Sequence, residues 1–258
     1  GKIHILTDFD NTFTNAFVGG ERVPSILSIL RDDNYLTPDY GQKSHEMYNK
    51  YYPYEVDAKI SKEEKKIKMN EWWNAHFKLL IESGLNKKDI ERACQSKKIQ
   101  FREGTSELFY FLKEKNIPLV FMSSSGLGVD SISLKLKKEK KIYSNIHIIS
   151  NSYEWDKNGK AISVKRPILH GANKDETLIH DFPEIFKIIK NKRNVILIGD
   201  SPNDVGMVEG FEYDNLLKVG FLNEKTKEKL ESYKKVYDVI ILNDGPMDFV
   251  NDFFKNIM

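Results

Sequence analysis

The feature that most constrains the fold is a series of short runs that are apolar at nearly every position. A strand with one face in water alternates apolar and polar residues, whereas runs like these are typical of strands covered on both faces of a parallel sheet. The runs are residues 2–7, 117–122, 146–149, 195–198 and 236–242. Amphipathic stretches that predict helices are residues 106–115, 129–138, 184–190 and 225–233. This order predicts an α/β fold with a doubly wound, mostly parallel sheet.

Residues 23–99 break the alternation of strand and helix. They are rich in Lys and Glu, have a helical pattern and contain no convincing strand. Ser61, followed by Glu64, fits a capping box at a helix start. We expect an all-helical insertion at residues 23–99 within a core made of residues 1–22 and 100–258. Residues 148–164 predict a β-hairpin with an Asn-Gly turn.

Composition excludes several classes of partner. The 40 Lys and Arg residues nearly balance the 38 Asp and Glu residues, so the charge of +2 does not call for nucleic acid or an anionic membrane. No apolar run approaches the roughly 18 residues of a membrane span, and the first residues lack a signal-peptide pattern. The single cysteine, Cys94, excludes an intramolecular disulfide. We expect a cytoplasmic monomer that binds a small molecule.

Polar residues follow three of the apolar runs at the point where each run ends. Asp8 and Asp10 follow the first run, Ser123 the second, and Asp200 and Asp204 the fourth. Ligands of an open parallel sheet bind beyond the carboxyl ends of its strands, so these side chains should meet in one crevice. Each aspartate alone could be a turn or helix-cap residue. Together they predict an active site.

Four carboxylates in one crevice would repel one another, which indicates a bound divalent cation. Magnesium prefers oxygen ligands, and phosphoryl transfer needs such a cation to offset charge. One carboxylate of the Asp8 and Asp10 pair can attack phosphorus, while the other protonates the leaving alkoxide and then deprotonates water. Asp204 is either a helix cap or a neighbour of the metal ligands. Ser123 can hold phosphate, and spacing does not choose a lysine to accompany it.

These motifs resemble those of the haloacid dehalogenase superfamily of phosphatases. The matching stretches are residues 8–12, Ser123 at a strand end, and residues 199–204. A closer resemblance, to the cytosolic 5'-nucleotidase III or pyrimidine 5'-nucleotidase family, runs along nearly the whole chain. The stretches that carry it are residues 7–12, 50–57, 63–65, 71–72, 149–151, 173–175, 199–207 and 218–223.

The resemblance implies roles for the carboxylates. It implies Asp8 as the nucleophile and Asp10 as the acid/base. It implies that Mg²⁺ is bound by Asp8, by the backbone carbonyl of Asp10 and by Asp200. Asp204 would then support these ligands without binding the metal itself.

The resemblance also implies the residues that bind substrate. Ser123, Ser124 and Lys174 would hold the phosphate. The inserted helices of residues 23–99 would form a cap that sets substrate specificity, and Glu55 in this cap would contact the nucleobase. Without the resemblance, Glu55 would be read as an exposed helix residue. His76 stands where the family tends to have Ser facing the base. It could stack on or hydrogen-bond a base, or be a surface residue of an amphipathic helix.

The implied reaction is magnesium-dependent hydrolysis of a nucleoside 5'-monophosphate through an aspartyl-phosphate. Pyrimidine nucleotides (CMP or UMP) or 7-methyl-GMP are the expected substrates. One alternative is a phosphatase of the same superfamily that acts on another small phosphorylated metabolite. A more distant alternative is a binding module without activity. The preferred base and sugar stay open at this point.

Overall fold

The computed structural model describes residues 2–33, 35–57, 59–210 and 212–257. The strands are β1 (Ile3–Thr7), β2 (Phe17–Val18), β3 (Glu21–Arg22), β4 (Leu119–Ser123), β5 (Ile146–Ser150), β6 (Tyr153–Trp155), β7 (Ala161–Val164), β8 (Asn194–Gly199), β9 (Asn215–Leu222) and β10 (Val239–Leu242). The helices are α1 (Ile26–Asp32), α2 (Tyr40–Val56), α3 (Lys62–Glu82), α4 (Lys87–Cys94), α5 (Thr105–Glu114), α6 (Gly128–Lys138), α7 (Glu176–His180), α8 (Pro183–Ile189), α9 (Thr226–Lys234) and α10 (Asp248–Ile257), with a 3₁₀ helix at Pro202–Val208.

Six strands form one parallel sheet in the order β10-β9-β8-β1-β4-β5. In its centre, Leu6 of β1 lies opposite Val120 of β4 and Leu197 of β8. Helices cover both faces, so the predicted doubly wound α/β fold is confirmed. Because every strand runs the same way, the residues after β1, β4 and β8 meet at one edge.

The apolar runs are needed because the central strands are buried on both sides. Side chains alternate along a strand. Ile5 therefore joins a cluster with side chains of α5, α6 and α10, whereas Leu6 joins a cluster with those of α7 and α8. Both residues are almost fully buried. Burial of one such side chain is worth about 2 kcal/mol, which a polar residue at either position would forfeit.

The described parts of residues 23–99 contain α1 to α4 and none of the strands. As the capping pattern predicts, the hydroxyl of Ser61 accepts a hydrogen bond from the backbone N–H of Glu64 at 3.1 Å, at the start of α3. Phe77 of α3 packs edge-on against Tyr153 of the β6–β7 hairpin, with 5.8 Å between ring centroids. None of the helices in the described residues is long and apolar enough to cross a membrane.

The structure differs from the sequence-based prediction in several elements, among them the short strands β2 and β3 and the helix α7, which the sequence does not predict. The predicted hairpin is confirmed for β6 and β7, but its predicted start at residue 148 is wrong because residues 146–150 form β5 of the main sheet. The sequence analysis does not predict β9, whose apolar run is interrupted by Lys218 and Gly220. A Cβ at Gly220 would lie 2.5 Å from the ring of Tyr237, so glycine is required there. It also does not predict α10, although Val250 and Phe254 are one helical turn apart and buried.

Candidate active site

A cavity of about 320 Å³ opens at the carboxyl ends of β1, β4 and β8. The helices of residues 23–99, called the helical segment below, line the opposite side of this cavity. All of the predicted site residues except His76 line this cavity: Asp8, Asp10, Glu55, Ser123, Ser124, Lys174, Asp200 and Asp204. Cavity-lining residues that the sequence analysis does not predict include Asn11, Ser25, Trp73 and Asn203. The expectation that ligands bind beyond the carboxyl ends of the strands therefore locates the crevice correctly. Side chains of the helical segment complete its lining.

Asp8 and Asp10 lie on either side of a buried phenylalanine. The backbone N–H of Asp8 donates to Ile198 O at 3.0 Å, so this residue is still held by the neighbouring strand β8. Phe9 is fully buried, with its ring 5.2 Å from that of Phe121. After Asp10 the chain turns through Asn11, which has a φ of +55°. The anchored Phe9 and this turn let both carboxylates face the cavity.

Lys174 lies between two of the carboxylates. Its ammonium group donates to Asp8 and, at 3.0 Å, to Asp204. Burial opposes the charge of Lys174, but the carboxylates of Asp204 and Asp8 outweigh it and raise its pKa. Burial raises the pKa of Asp8 to about 7 and that of Asp10 to about 6, although the charge of Lys174 lowers both. Burial and the charges of Asp204 and Asp8 raise the pKa of Asp200 well above its ordinary value.

Asp204 fixes the turn that follows β8. Its Oδ2 accepts the backbone N–H of Ser201 at 3.0 Å, while Ser201 caps the 3₁₀ helix in return. A Cβ at Gly199 would lie 2.5 Å from the Cβ of Asp204, so only glycine admits this approach. Of the two predicted alternatives for Asp204, the structure shows the helix cap, and the same side chain also pairs with Lys174.

The loop after β4 presents a row of small polar groups. Ser123 is the last residue of β4, and its hydroxyl accepts the backbone N–H of Ser125 at 3.2 Å. At Gly126, a Cβ would lie 2.8 Å from Leu27 and 2.9 Å from Trp73 of the helical segment. The loop and the helices are therefore in close contact above the strand end.

Asn151 joins this loop to the loop that carries Lys174. Its side-chain amide donates to Ser125 O at 3.1 Å and to Leu169 O at 3.0 Å. Its Oδ1 accepts the backbone N–H of Leu169 at 2.9 Å, and the residue is fully buried. The family resemblance includes this residue without assigning it a role. Its position shows that one side chain links the two loops on either side of the cavity.

Glu55 and Trp73 face the cavity from α2 and α3. Burial raises the pKa of Glu55, and the nearby charge of Lys65 opposes that rise. The ammonium of Lys65 also donates to the backbone carbonyl of Glu55 at 2.9 Å, which holds the last turn of α2 against α3. The reading of Glu55 as an exposed helix residue is therefore wrong.

His76 is not among the residues that line the cavity. It lies behind Trp73, with the two rings stacked at 5.8 Å, and its Nε2 is 3.1 Å from the hydroxyl of Tyr40. The alternative that His76 is a surface residue is wrong, because it is only 5% exposed. Burial lowers its pKa to about 4, so the imidazole is neutral at physiological pH.

The donor set fits a magnesium ion. In the described residues, no group of three His, Cys, Asp or Glu side chains forms a metal site by itself. The implied ligands require only two side chains, Asp8 and Asp200, together with the backbone carbonyl of Asp10. Magnesium commonly takes one or two carboxylates and keeps several waters. A divalent cation would also offset the clustered carboxylates whose pKa values burial raises.

Comparison with known proteins identifies the family of the chain. The sequence profile of the family described as pyrimidine 5'-nucleotidase (UMPH-1) matches residues 11–258. The 7-methylguanosine phosphate-specific 5'-nucleotidase of Mus musculus is 32% identical over 258 residues, which are 100% of this chain and 85% of that protein. The putative cytosolic 5'-nucleotidase 3 of Caenorhabditis elegans is 34% identical over 254 residues, which cover 96% of this chain and 67% of that protein.

Solved structures extend the comparison to the fold. Cytosolic 5'-nucleotidase IIIB bound to cytidine superimposes with a TM-score of 0.88 at 24% identity, covering 98% of this chain and 85% of the other. A phosphoserine phosphatase with a phospho-aspartyl intermediate analogue superimposes with a TM-score of 0.56 at 19% identity, covering 97% of both chains. The motifs, the sheet and these relatives agree: the chain belongs to the pyrimidine 5'-nucleotidase family and is a 5'-nucleotidase with a haloacid dehalogenase-type core.

Proposed function

We propose that this chain is a magnesium-dependent phosphohydrolase that moves the phosphoryl group of a nucleoside 5'-monophosphate first to Asp8 and then to water. The observation that carries the proposal is that Asp8, Asp10, Ser123 and Lys174 share one cavity at the strand ends. This arrangement offers a nucleophile, a second carboxyl group and two groups suited to a phosphate dianion.

The two steps use the two aspartates in sequence. The carboxylate of Asp8 attacks phosphorus as the bond from phosphorus to O5' breaks, and Asp10 gives its proton to O5'. Asp10 then takes a proton from water, which attacks phosphorus and releases Asp8. Lys174 and Ser123 hold the phosphate oxygens. Asp8, Asp200 and the backbone carbonyl of Asp10 would hold the magnesium ion, which would supply positive charge against the phosphate oxygens.

The helical wall of the cavity supports a choice among bases. The carboxylate of Glu55 can accept a hydrogen bond from the amine of cytosine, or face the positive charge of 7-methylguanine. The indole of Trp73 offers a flat π-surface that also favours a cationic ring. We therefore propose that 7-methyl-GMP and CMP are better substrates than UMP. The names of the mouse and human relatives, which specify 7-methylguanosine phosphate, support the first of these substrates, and the cytidine bound to cytosolic 5'-nucleotidase IIIB supports the second.

The lining of the cavity also supports different functions for two parts of the chain. We propose that residues 23–99 act as a cap for specificity and that residues 1–22 and 100–258 form the phosphatase core. In support, Ser25, Glu55 and Trp73 line one side of the cavity. The cytosolic designation of the Caenorhabditis elegans relative supports a cytoplasmic location. The expected monomeric state stays a prediction, which sedimentation can check.

A substrate panel tests the proposed reaction. Phosphate release is measured with CMP, UMP, 7-methyl-GMP, AMP, phosphoserine and sugar phosphates, each with magnesium and with a chelator. We expect nucleotides to have the highest kcat/KM and the chelator to abolish turnover. A higher kcat/KM for phosphoserine or a sugar phosphate would indicate that the physiological substrate is a different small metabolite.

A second experiment tests the covalent intermediate. Acid quenching during turnover of ³²P-labelled substrate should trap label on Asp8. A complete lack of trapped label in single turnover would argue for direct attack by water.

A further inference from the structure

Arg102 does not line the cavity, and the residue is buried, with 2% exposed. It lies at the point where the chain passes from the helical segment back into the core. A buried guanidinium is tolerated only when its donors are paired and its charge is balanced. The groups that pair with this guanidinium therefore indicate the structural role of Arg102.

Two of those partners belong to the turn that carries Asp10. The Nη2 of Arg102 donates to the backbone carbonyl of Asn11 at 2.7 Å, and its Nε donates to the carbonyl of Thr12 at 2.8 Å. These carbonyls lie one and two residues after Asp10. Asn11 has a φ of +55°, a left-handed conformation that asparagine adopts more readily than most residues with a Cβ. The turn has a hydrogen bond of its own, from the backbone N–H of Phe13 to Phe9 O at 3.0 Å. Arg102 adds contacts that fix the position of this turn relative to the rest of the core.

The other partners tie Arg102 to the far side of the sheet. Its Nη1 donates to Gly245 O at 2.6 Å, and its Nη2 also donates to the side chain of Asn223 at 3.0 Å. Asp244 balances the charge at 3.0 Å, and the ring of Phe221 lies 4.0 Å from the guanidinium carbon. These residues end or follow β9 and β10. Arg102 therefore links the turn after β1 to the carboxyl ends of β9 and β10.

Two neighbours reinforce the same connection. The side-chain amide of Asn223 donates to the carbonyl of Asn11 at 2.9 Å, so that carbonyl accepts from two side chains. Asp244 accepts the backbone N–H groups of Ala16 and Phe17, each at 2.9 Å, where the chain continues into β2. The segment after Asp10 is thus fastened at both ends to one charged cluster.

We propose that Arg102 is a positioning residue that holds the carboxyl group of Asp10 where it can protonate the leaving group. The proposal rests on the acid/base role given to Asp10 in the proposed function. A nucleoside alkoxide is a poor leaving group and needs that proton, whereas p-nitrophenolate leaves without it. A displaced Asp10 must therefore slow nucleotides much more than p-nitrophenyl phosphate. A general loss of folded enzyme would slow both substrates equally.

The test compares Arg102→Lys with wild type on CMP and on p-nitrophenyl phosphate. Single-turnover formation of the phosphoenzyme is measured by rapid quench, so that a slow later step does not hide the effect. We expect the rate with CMP to fall by at least about tenfold and by no more than the roughly 10²–10⁴-fold contribution of a general acid. The rate with p-nitrophenyl phosphate should fall by less than about threefold. KM for CMP should change little. Equal losses on both substrates in a variant that unfolds at the wild-type temperature would overturn the proposal.

Three further variants test the proposal even if Arg102→Lys does not fold, and they separate it from the proposed role of Asp10. Asn223→Ala removes one donor to Asn11 and should shift the substrate ratio in the same direction by a smaller factor. If Arg102→Lys does not fold, an unchanged ratio in Asn223→Ala overturns the proposal. Arg193→Lys, whose side chain is 44% exposed and pairs with Asp214, is the matched control and should alter neither rate. Asp10→Asn separates the two hypotheses. A selective loss there without one in Arg102→Lys rejects the positioning role alone, whereas equal losses in Asp10→Asn reject the acid role and the inference with it.

Discussion

The two walls of the active-site cavity are held by different kinds of contact. On the strand-end wall, Asp8, Ser123 and Asp200 follow or end three adjacent strands, and the parallel hydrogen-bonded register fixes their spacing. On the helical wall, Glu55 and Trp73 lie on α2 and α3, outside the sheet. In the proposed mechanism, the groups that must be aligned for bond breaking therefore lie at the ends of hydrogen-bonded strands. The groups proposed to face the rest of the substrate lie on helices outside the sheet.

The contacts between the helical segment and the core differ with depth. Away from the cavity they are apolar, as in the packing of Phe77 against Tyr153. Near the surface they are polar and exposed, as in the 2.8 Å ion pair of Lys62 with Glu209. Exposed ion pairs are usually worth less than about 1 kcal/mol. The helical wall should consequently be easier to displace than the strand-end wall, and variants in the two walls should have different kinetic effects.

The largest effect is expected on the strand-end wall. Asp8→Asn removes the nucleophile, and its activity should fall at least about 10⁴-fold on nucleotides and on p-nitrophenyl phosphate alike, since both need the same attack on phosphorus. Phosphate release with magnesium present measures it. Asp252→Asn, an exposed substitution on α10, is the control and should keep wild-type rates. A difference between the two substrates would mean that this wall also takes part in specificity.

The strand-end wall is also the part that sequence reasoning predicts well. Asp8, Ser123 and Asp200 each stand directly after or at the end of a run that only a doubly covered strand explains, and strand direction then brings them together. Lys174 shows the limit of this reasoning. It lies in an irregular loop held by the buried side chain of Asn151, and only the family resemblance singles it out. Arg102 is outside that reasoning altogether, because its role depends on contacts distant in sequence.

The helical wall should affect binding rather than chemistry. Glu55→Gln keeps the shape but removes the charge, so it should raise KM for CMP and 7-methyl-GMP by roughly 5- to 100-fold, which corresponds to about 1–3 kcal/mol for a base contact. Hydrolysis of p-nitrophenyl phosphate should stay within about twofold. Glu46→Gln, on the exposed side of α2, is the matched control. Parallel losses on all substrates would instead place Glu55 in the chemical steps, and the proposed division between the walls would fail.

The orientation of the helices that form the helical wall is harder to predict from the sequence, for a physical reason. Helical periodicity predicts α2 and α3, but it does not specify how they are rotated against a core that is distant in sequence. The structure turns Trp73 to the cavity and puts His76 behind it, although both lie on α3 within one turn. The glycine of the loop after β4 permits this approach, because a side chain at Gly126 would collide with Trp73. That contact is not encoded in any local pattern.

The buried imidazole behind Trp73 should make stability depend on pH. The pKa of His76 falls from 6.5 to about 4 on folding, so between these values the unfolded chain binds a proton that the folded chain does not. Stability is therefore lost as pH falls below 6.5, and at pH 5 this group costs about 2 kcal/mol relative to pH 7.5. His76→Gln should reduce the loss between pH 7.5 and 5 by that amount, as urea unfolding measures.

A variant of the same helix that carries no titratable group controls for the overall loss of stability on acidification. Ile67 lies on α3 and is 58% exposed, so Ile67→Val should leave the pH dependence of stability as in wild type. The same pH dependence in the His76 and Ile67 variants would show that the imidazole behind Trp73 is not buried as described. The absolute stability of either variant does not enter this comparison, because only the change with pH is used.

The smallest effect is expected at the ion pair that joins the two walls at the surface. A double-mutant cycle on Lys62→Gln and Glu209→Gln should give a coupling free energy below about 1 kcal/mol, which falls further in high salt because both side chains are exposed. The same variants should raise KM for CMP slightly and leave kcat unchanged, since the pair affects how the helical wall closes. Lys78→Gln, which breaks a pair within α3 that does not touch the core, controls for helix stability. An unchanged KM in Lys62→Gln would mean that other contacts position the helical wall, such as its apolar packing on the β6–β7 hairpin and the hydrogen bond from Arg166 to Asn74.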